Sequence, residues 1–286
     1  MKEKQKKESR LSEIWRNLKK NKLAVISLIV IFLLLATALC ADFIAPHPYE
    51  EQHTSQAYAS PSAEYPLGTD KLGRCIFSRM VYGSRQSLAM GLITVIIASI
   101  CGVIIGAIAG FFGGWTDNLL MRFLDIYQSI PMFLLCVTLA AILGPSLKNA
   151  IIALALSMIP QYARICRATV LTVREREFVE AARAINAENR YIIIKHILPN
   201  TLAPIIVEIT MGISSAILAG ASLSFIGIGV QPPIPEWGSM VSEARAVMRE
   251  YPTMALYPGI AIMIAVLAFN LLGDGLRDAL DPRLKN

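Results

Sequence analysis

Residues 87–112 read SLAMGLITVIIASICGVIIGAIAGFF, 26 consecutive positions without a charged side chain. Coiled as an α-helix, a stretch of that length is about 39 Å long, more than the roughly 30 Å hydrocarbon core of a bilayer. Lipid offers no water to satisfy a peptide group, so such a run is stable there only as a helix that closes its hydrogen bonds within itself. Glycine recurs at every fourth position, Gly102, Gly106, Gly110 and Gly114, giving three successive GxxxG units. On a helix they form a flat stripe for the close approach of a second helix, the competing reading being chance glycine in a membrane helix.

Outward from this run the pattern repeats. Apolar runs at about Leu23–Ala41, Leu119–Leu143, Leu147–Ile165, Ala203–Ile226 and Met254–Leu272 bring the number of expected spans to six. Pro131 and Pro160 interrupt two of them, which membrane helices tolerate when neighbours satisfy the freed carbonyls. Of the 286 residues 55% are hydrophobic and 17% charged, with a mean hydropathy of +0.52; soluble domains carry roughly 25% charged residues. Six helices of about 20 residues use about 120 positions, which leaves loops but no separate soluble domain. The expected fold class is therefore an all-α integral membrane protein with six transmembrane helices. Its segments are a basic start (1–22), a first span (23–41), a polar segment (42–86), a five-helix core (87–276) and a short tail (277–286). The first run also resembles a signal peptide, with Ala36-Thr37-Ala38 as a cleavage-like site. The long basic region before it and its spanning length favour an uncleaved anchor.

Charge sets the expected orientation. The net charge of +6 is concentrated beside apolar runs, so it reads as a topology signal rather than a nucleic-acid surface. Nine Lys or Arg lie in residues 1–22, seven in 164–195 and three in the tail (Arg277, Arg283, Lys285), and Arg122 precedes the third span. The other group has four in 42–86, Lys148, and two in 230–252. Twenty against seven place both termini and the 164–200 loop in the cytoplasm. In the start, Leu11, Ile14, Trp15 and Leu18 share one face, as expected of a short helix lying on the membrane surface. Cys40, Cys75, Cys101, Cys136 and Cys166 are scattered, with neither a CxxC pair nor a neighbouring His, so neither a disulfide framework nor a metal site is expected. There is no GxxxxGK[ST] phosphate cradle, no HExxH and no GxSxG, and the three histidines are His47, His53 and His196. An enzyme is not indicated.

The 164–200 loop carries the strongest functional signal. Residues 174–187 read REREFVEAARAINA, with Phe178, Ala181, Ala182 and Ile185 spaced for one face of a short amphipathic helix. Such an element either lodges in a groove on a soluble partner or is a solvated linker, and the pattern alone leaves both open. Among charges near the spans, Arg122 and Asp125 stand at i, i+3 and are expected to pair, as an interfacial pair or as part of a cytoplasmic gate. Glu208, about one and a half turns into the fifth span, contacts either a cationic group of a cargo or a basic residue at the interface.

Glu180-Ala181-Ala182, closed by Leu198-Pro199, resembles the EAA loop of ABC importer permeases. The resemblance covers roughly residues 20–284. Pro66-Leu67-Gly68-Thr69-Asp70, Leu72-Gly73-Arg74 and Ser78-Arg79 are similar to the segment before the second helix of dipeptide, oligopeptide and nickel permeases. His196 to Asn200, Ala221 to Phe225, Glu236-Trp237-Gly238, Ala268 to Asp274 and Leu276 to Pro282 match the same group, and point to the second, C-type subunit of its permease pair. The resemblance implies a type I importer fold, with Glu180, Ala181, Ala182, Asn186, Leu198 and Pro199 docking on an ATPase through a loop at about 166–200. It implies a homologous permease as heterodimer partner, two ATPase subunits, an extracytoplasmic substrate-binding protein and a bacterial cytoplasmic membrane around a multi-pass chain. This chain would bind no cofactor, with ATP and magnesium on the ATPases. The implied cargo is a di- or oligopeptide, the alternatives being nickel or a metal chelate. A self-contained secondary transporter is the rival class, and would need coupling-ion sites at mid-membrane. Two positions depart from the pattern: Asn186 replaces a Gly, and Cys75 replaces an acid after Gly73-Arg74.

Overall fold

The computed structural model describes residues 10–280. Lys2, Lys4, Lys6, Lys7, Arg283 and Lys285, which carry part of the orientation argument, lie outside the described residues. In chain order the helices are α1 (Arg10–Leu18), α2 (Lys22–Leu39), α3 (Ile76–Phe112), α4 (Gly114–Gln128) and α5 (Met132–Leu143). They continue as α6 (Leu147–Arg174), α7 (Glu177–Ala184), α8 (Leu198–Phe225), α9 (Trp237–Ala244) and α10 (Thr253–Leu280). A turn at Asn189–Tyr191 and a π-helical stretch at Ile192–Ile197 lead into α8. Among the described residues five helices are long and apolar enough to cross a membrane, and α4 and α5, bent by 81°, reach that length only together, as a broken span or a re-entrant loop.

That bend corrects the straight third span expected over Leu119–Leu143. At 15 and 12 residues, α4 and α5 reach only about 22 and 18 Å, so neither alone crosses a bilayer core. Pro131 precedes α5 in extended backbone (φ −52°, ψ 130°) and lacks the N–H that would continue α4. Pro160, expected to interrupt the fourth span, does not: it is buried inside a continuous α6. The difference is support, because Pro160 is enclosed by packed helices and Pro131 is exposed.

The bundle is organised on α3 and α6, which run parallel in close contact. A Cβ on Gly102 would sit 2.5 Å from Tyr162 Cβ, one on Gly106 would overlap Ala163 O, and one on Gly110 would lie 2.9 Å from Val170 Cβ. The glycine stripe is therefore the contact itself for three of its four members. Gly114 is not part of it: nothing stands within 4 Å of its Cβ position, and with φ +54° it serves the turn into α4. Around this pair, Val95, Ala98, Met158, Tyr162, Ile213, Ile217, Ala265 and Phe269 form the central core, joining α3, α6, α8 and α10. Ser214 Oγ donates to Asn270 Oδ1 at 2.6 Å, a polar tie between α8 and α10.

The two ends of the bundle differ. At one end lie α1, the start of α2, α7 and the close of α10. There Ile14, Leu18, Ala24, Leu276 and Ala279 cluster, so α1 covers the last helix with part of the face expected on the membrane. At the other end, α3 begins eleven residues before the apolar run, because its polar first turns are held by protein. Asp70 accepts from Arg74 Nε at 2.6 Å and Arg79 Nη1 at 2.7 Å, while Glu243 on α9 accepts from Arg74 Nη2 at 2.7 Å and Arg79 Nη2 at 2.9 Å. Asp70, Arg74 and Arg79 are each 2% exposed, and two acids against two bases leave the cluster without net charge. Burial raises the Glu243 carboxyl, but the Arg79 hydrogen bond and the charges of Arg79, Arg74 and Lys71 outweigh it and hold the group below its ordinary range. Its contribution to stability is therefore present above the ordinary carboxylate range and is lost as pH falls through the lowered value.

The segment read from sequence as a loop after the fifth span carries α9. Glu236 caps it, accepting from Gly238 N at 2.9 Å and Ser239 N at 2.8 Å, and takes a third bond from Ser87 Oγ at 3.0 Å. Burial raises the Glu236 carboxyl despite these bonds. Trp237 Nε1 donates to Met80 O at 3.1 Å, which ties α9 back to α3. Cys75 occupies the N-cap of α3 without a side-chain capping bond. The acid usual there would sit where a carboxylate caps a helix well.

Replacing Gly106 by Val forces a branched side chain into α6 backbone and is expected to cost at least about 3 kcal/mol. Gly114→Ala meets no neighbour and should cost only the left-handed backbone term, about 1 kcal/mol. Thermal unfolding of the two variants in the same detergent checks the order. Glu243→Ala strands Arg74 and Arg79 with one acceptor between them, at a cost of about 3–5 kcal/mol, read in the same assay at pH 7.

Candidate functional site

The end of the bundle that holds α7 brings together most of the residues singled out in the sequence. Arg176 leads into α7 in extended backbone (φ −83°, ψ 146°). Val179 (0% exposed) and Ala182 (6%) turn inward, against Phe111, Val173, Ile192 and Ile197. Phe178, Glu180, Ala181 and Ile185 face outward, Ile185 at 79% exposure. The expected apolar face is thus split: Ala182 belongs to the anchored side, and Phe178, Ala181 and Ile185 form a free apolar surface beside Glu180. Phe178 also neighbours His196, with ring centroids 6.4 Å apart.

Asn186 closes α7 with φ +56°. Ala187 N donates to Ala182 O at 3.1 Å and Asn186 N to Arg183 O at 2.9 Å. These are the two bonds of a Schellman cap with Asn186 at its left-handed position, the place glycine usually takes. Asn fills it because its short polar side chain tolerates that conformation better than most. Leu198 and Pro199 open α8 directly after the π-helical stretch Ile192–Ile197.

Beside α7, the ends of α6, α8 and α10 border an open cavity of about 750 Å³. Its polar lining is Thr169, Thr172, Arg176, Asn200, Glu208 and Arg277. Glu208 accepts a hydrogen bond from Gln161 Nε2, the neutral amide of the facing helix. The expected Arg122–Asp125 pair is not formed. Asp125 instead accepts from Arg164 Nη2 at 2.8 Å, and Arg122 has no ion-pair partner among the described residues. An i, i+3 pair on one helix loses here to a partner on the helix packed against it. Asp117 and Arg167 make a second bridge between α4 and α6, and Arg174 Nη1 donates to Gly110 O at 2.8 Å, satisfying a carbonyl at the close of α3. No group of three or more His, Cys, Asp or Glu able to hold a metal occurs among the described residues.

Sequence reasoning missed the Asp70–Arg74–Arg79–Glu243 cluster and the cap at Glu236. The residues were visible as motif letters, but the 164-residue separation of Arg79 from Glu243 has no local signal.

The fold is that of a type I ABC importer permease. A chain of the MetNI methionine ABC transporter, in inward-facing conformations, superposes with a TM-score of 0.59 at 20% identity, over 71% of this chain and 96% of that one. The binding-protein-dependent transport system inner membrane component family matches residues 102–286, and the N-terminal TM domain of oligopeptide transport permease C matches residues 9–61. The chain belongs to the binding-protein-dependent transport system inner membrane component family and is a permease component of an ABC importer. It is 47% identical to the dipeptide transport system permease protein DppC of Alkalihalophilus pseudofirmus, over 96% of this chain and 90% of that one. Identity is 43% to the glutathione transport system permease protein GsiD of Escherichia coli O157:H7, over 96% of this chain and 90% of that one. It is also 43% to the di/tripeptide transport system permease protein DppC of Pseudomonas aeruginosa, over 97% of this chain and 94% of that one.

Asn186→Gly should leave α7 intact or stabilise it slightly, whereas Asn186→Val should cost about 1–2 kcal/mol at the cap. Hydrogen exchange at the amides of residues 182–187 reads the difference, with faster exchange expected only in the Val variant.

Proposed function

We propose that this chain forms half of the translocation pathway of an ATP-driven importer of di- and oligopeptides in a bacterial cytoplasmic membrane. The end carrying α7 faces the cytoplasm, and a homologous permease completes the pathway. Two ATPase subunits, which hold ATP and magnesium, dock below, one at the 166–200 loop of each permease, and an extracytoplasmic binding protein delivers cargo to the other end. The observation that carries this reading is the split face of α7, free through Phe178, Ala181 and Ile185 and anchored through Val179 and Ala182 beneath the cavity. An element gripped on one side and exposed on the other passes a partner's motion into the helices it packs on. Peptide cargo is supported by the dipeptide and di/tripeptide transport system permeases that match along nearly the whole chain. The Arg164–Asp125 bridge, half exposed on both sides, is a contact that opening of α4 from α6 would break, as a gate requires.

Glu180→Lys should lower uptake at least about tenfold, equivalent to roughly 1.4 kcal/mol, by weakening ATPase docking while the chain still inserts. Co-purification of the ATPases and membrane levels of the variant report the two separately, and normal uptake would count against the coupling role. Deleting the chain should abolish uptake of labelled dipeptide and leave nickel uptake unchanged.

A further inference from the structure

Several polar side chains at membrane depth lie on the flanks of one face. Glu208, Ser215 and Ser222 recur every seventh residue of α8, and none is fully buried. Gln161 and Arg164 stand on the adjoining side of α6. At 1.5 Å per residue, Glu208 is about 15 Å from the start of α8 and Gln161 about 21 Å from the start of α6. Both helices have 28 residues, about 42 Å of length, so both positions fall inside a core roughly 30 Å thick. A carboxylate at that depth is expensive against lipid and belongs to a hydrated route or a protein partner.

Glu208 has a neutral partner in Gln161, and no ion pair joins it to a cation among the described residues. Arg176 and Arg277 line the same cavity, at the end where α6 and α10 close, and likewise make no ion pair among the described residues. The cavity is therefore bipolar, with a carboxylate on its α8 wall and two guanidinium groups towards the end of the bundle that holds α7. Along α8 the lining runs from Asn200 to Met211, and Glu208 stands eight residues, or about 12 Å, from Asn200 near the cationic end. An extended di- or tripeptide, at about 3.5 Å per residue, spans about 7–11 Å. The charge order and the length both match a zwitterionic peptide with its amino end innermost.

We infer that Glu208 receives the ammonium end of the cargo, with Gln161 positioning its carboxylate and Arg176 and Arg277 facing the cargo's carboxylate end. The inference rests on the peptide reading above and deepens it.

The test uses the purified complex of this chain with its companion permease and ATPases, in nanodiscs without binding protein. Binding of a radiolabelled dialanine is compared with that of its N-acetylated form. The wild-type complex should prefer the free amine at least tenfold, and Glu208→Gln should bring that ratio near one. Glu208→Asp keeps the charge and should keep most of the preference. At the other end, Arg277→Gln should weaken discrimination between the free carboxylate and a C-terminal amide while leaving the amine preference in place. A Glu208→Gln complex that keeps the tenfold ratio overturns the inference alone. One that loses the companion permease on purification assigns Glu208 to an ion pair with that chain, and overturns it too. A wild-type complex that takes up nickel and neither binds nor transports dipeptide overturns both the inference and the peptide reading.

Discussion

Everything in this bundle is positioned by the contact of α3 with α6, where the Cβ atoms of Gly102, Gly106 and Gly110 are missing. Between helices in lipid there is no hydrophobic driving force, since the acyl chains are as apolar as leucine, and close van der Waals packing takes its place. A helix stripped of side chains along one line lets its neighbour's backbone approach. This contact holds α6 parallel to α3, and α6 delivers α7 at its end. The residues that anchor α7, Val173 and Val179 among them, belong to a cluster that also contains Phe111 from α3 and Cys166 from α6.

The two ends of the bundle are built from opposite materials. Where α3 begins, three buried charges and the half-buried Glu243 compensate one another, and α9 is capped and tied to α3 by Glu236 and Trp237. A buried ionic cluster of this kind contributes little net stability but penalises any arrangement that separates its members. At the α7 end, polar contacts are sparser and more exposed: the Arg164–Asp125 bridge is about half exposed on both sides, and Glu208 leans on a neutral amide. Contacts of that sort break at small cost. One end therefore resists rearrangement more than the other.

The broken third crossing belongs to the same description. Neither α4 nor α5 spans the membrane alone, and α4 presents Trp115, Leu119, Phe123 and Ile126 outward. Its attachment to α6 runs through Asp117 and Asp125, two bridges from carboxylates that an isolated apolar helix in lipid would not tolerate.

Length, hydropathy and the positions of Pro and Gly determined by themselves that this chain is a multi-crossing helical membrane protein, because the solvation of the peptide group in lipid leaves no other solution for its apolar runs. The sequence also determined that Asn186 suits a left-handed turn and that the glycines favour a close helix contact. Both are local properties of a side chain or of its absence. Only the tertiary structure decided which glycines touch α6, and that Gly114 does not. It also decided that Asp125 pairs with Arg164 rather than with Arg122, and that Ala182 faces inward while Ala181 faces out. The same holds for the helix hidden in the loop after α8 and for the union of Asp70, Arg74 and Arg79 with Glu243. Each of these depends on which distant helix arrives beside a residue, and a charge takes the best-placed opposite charge in space whatever its place in the chain.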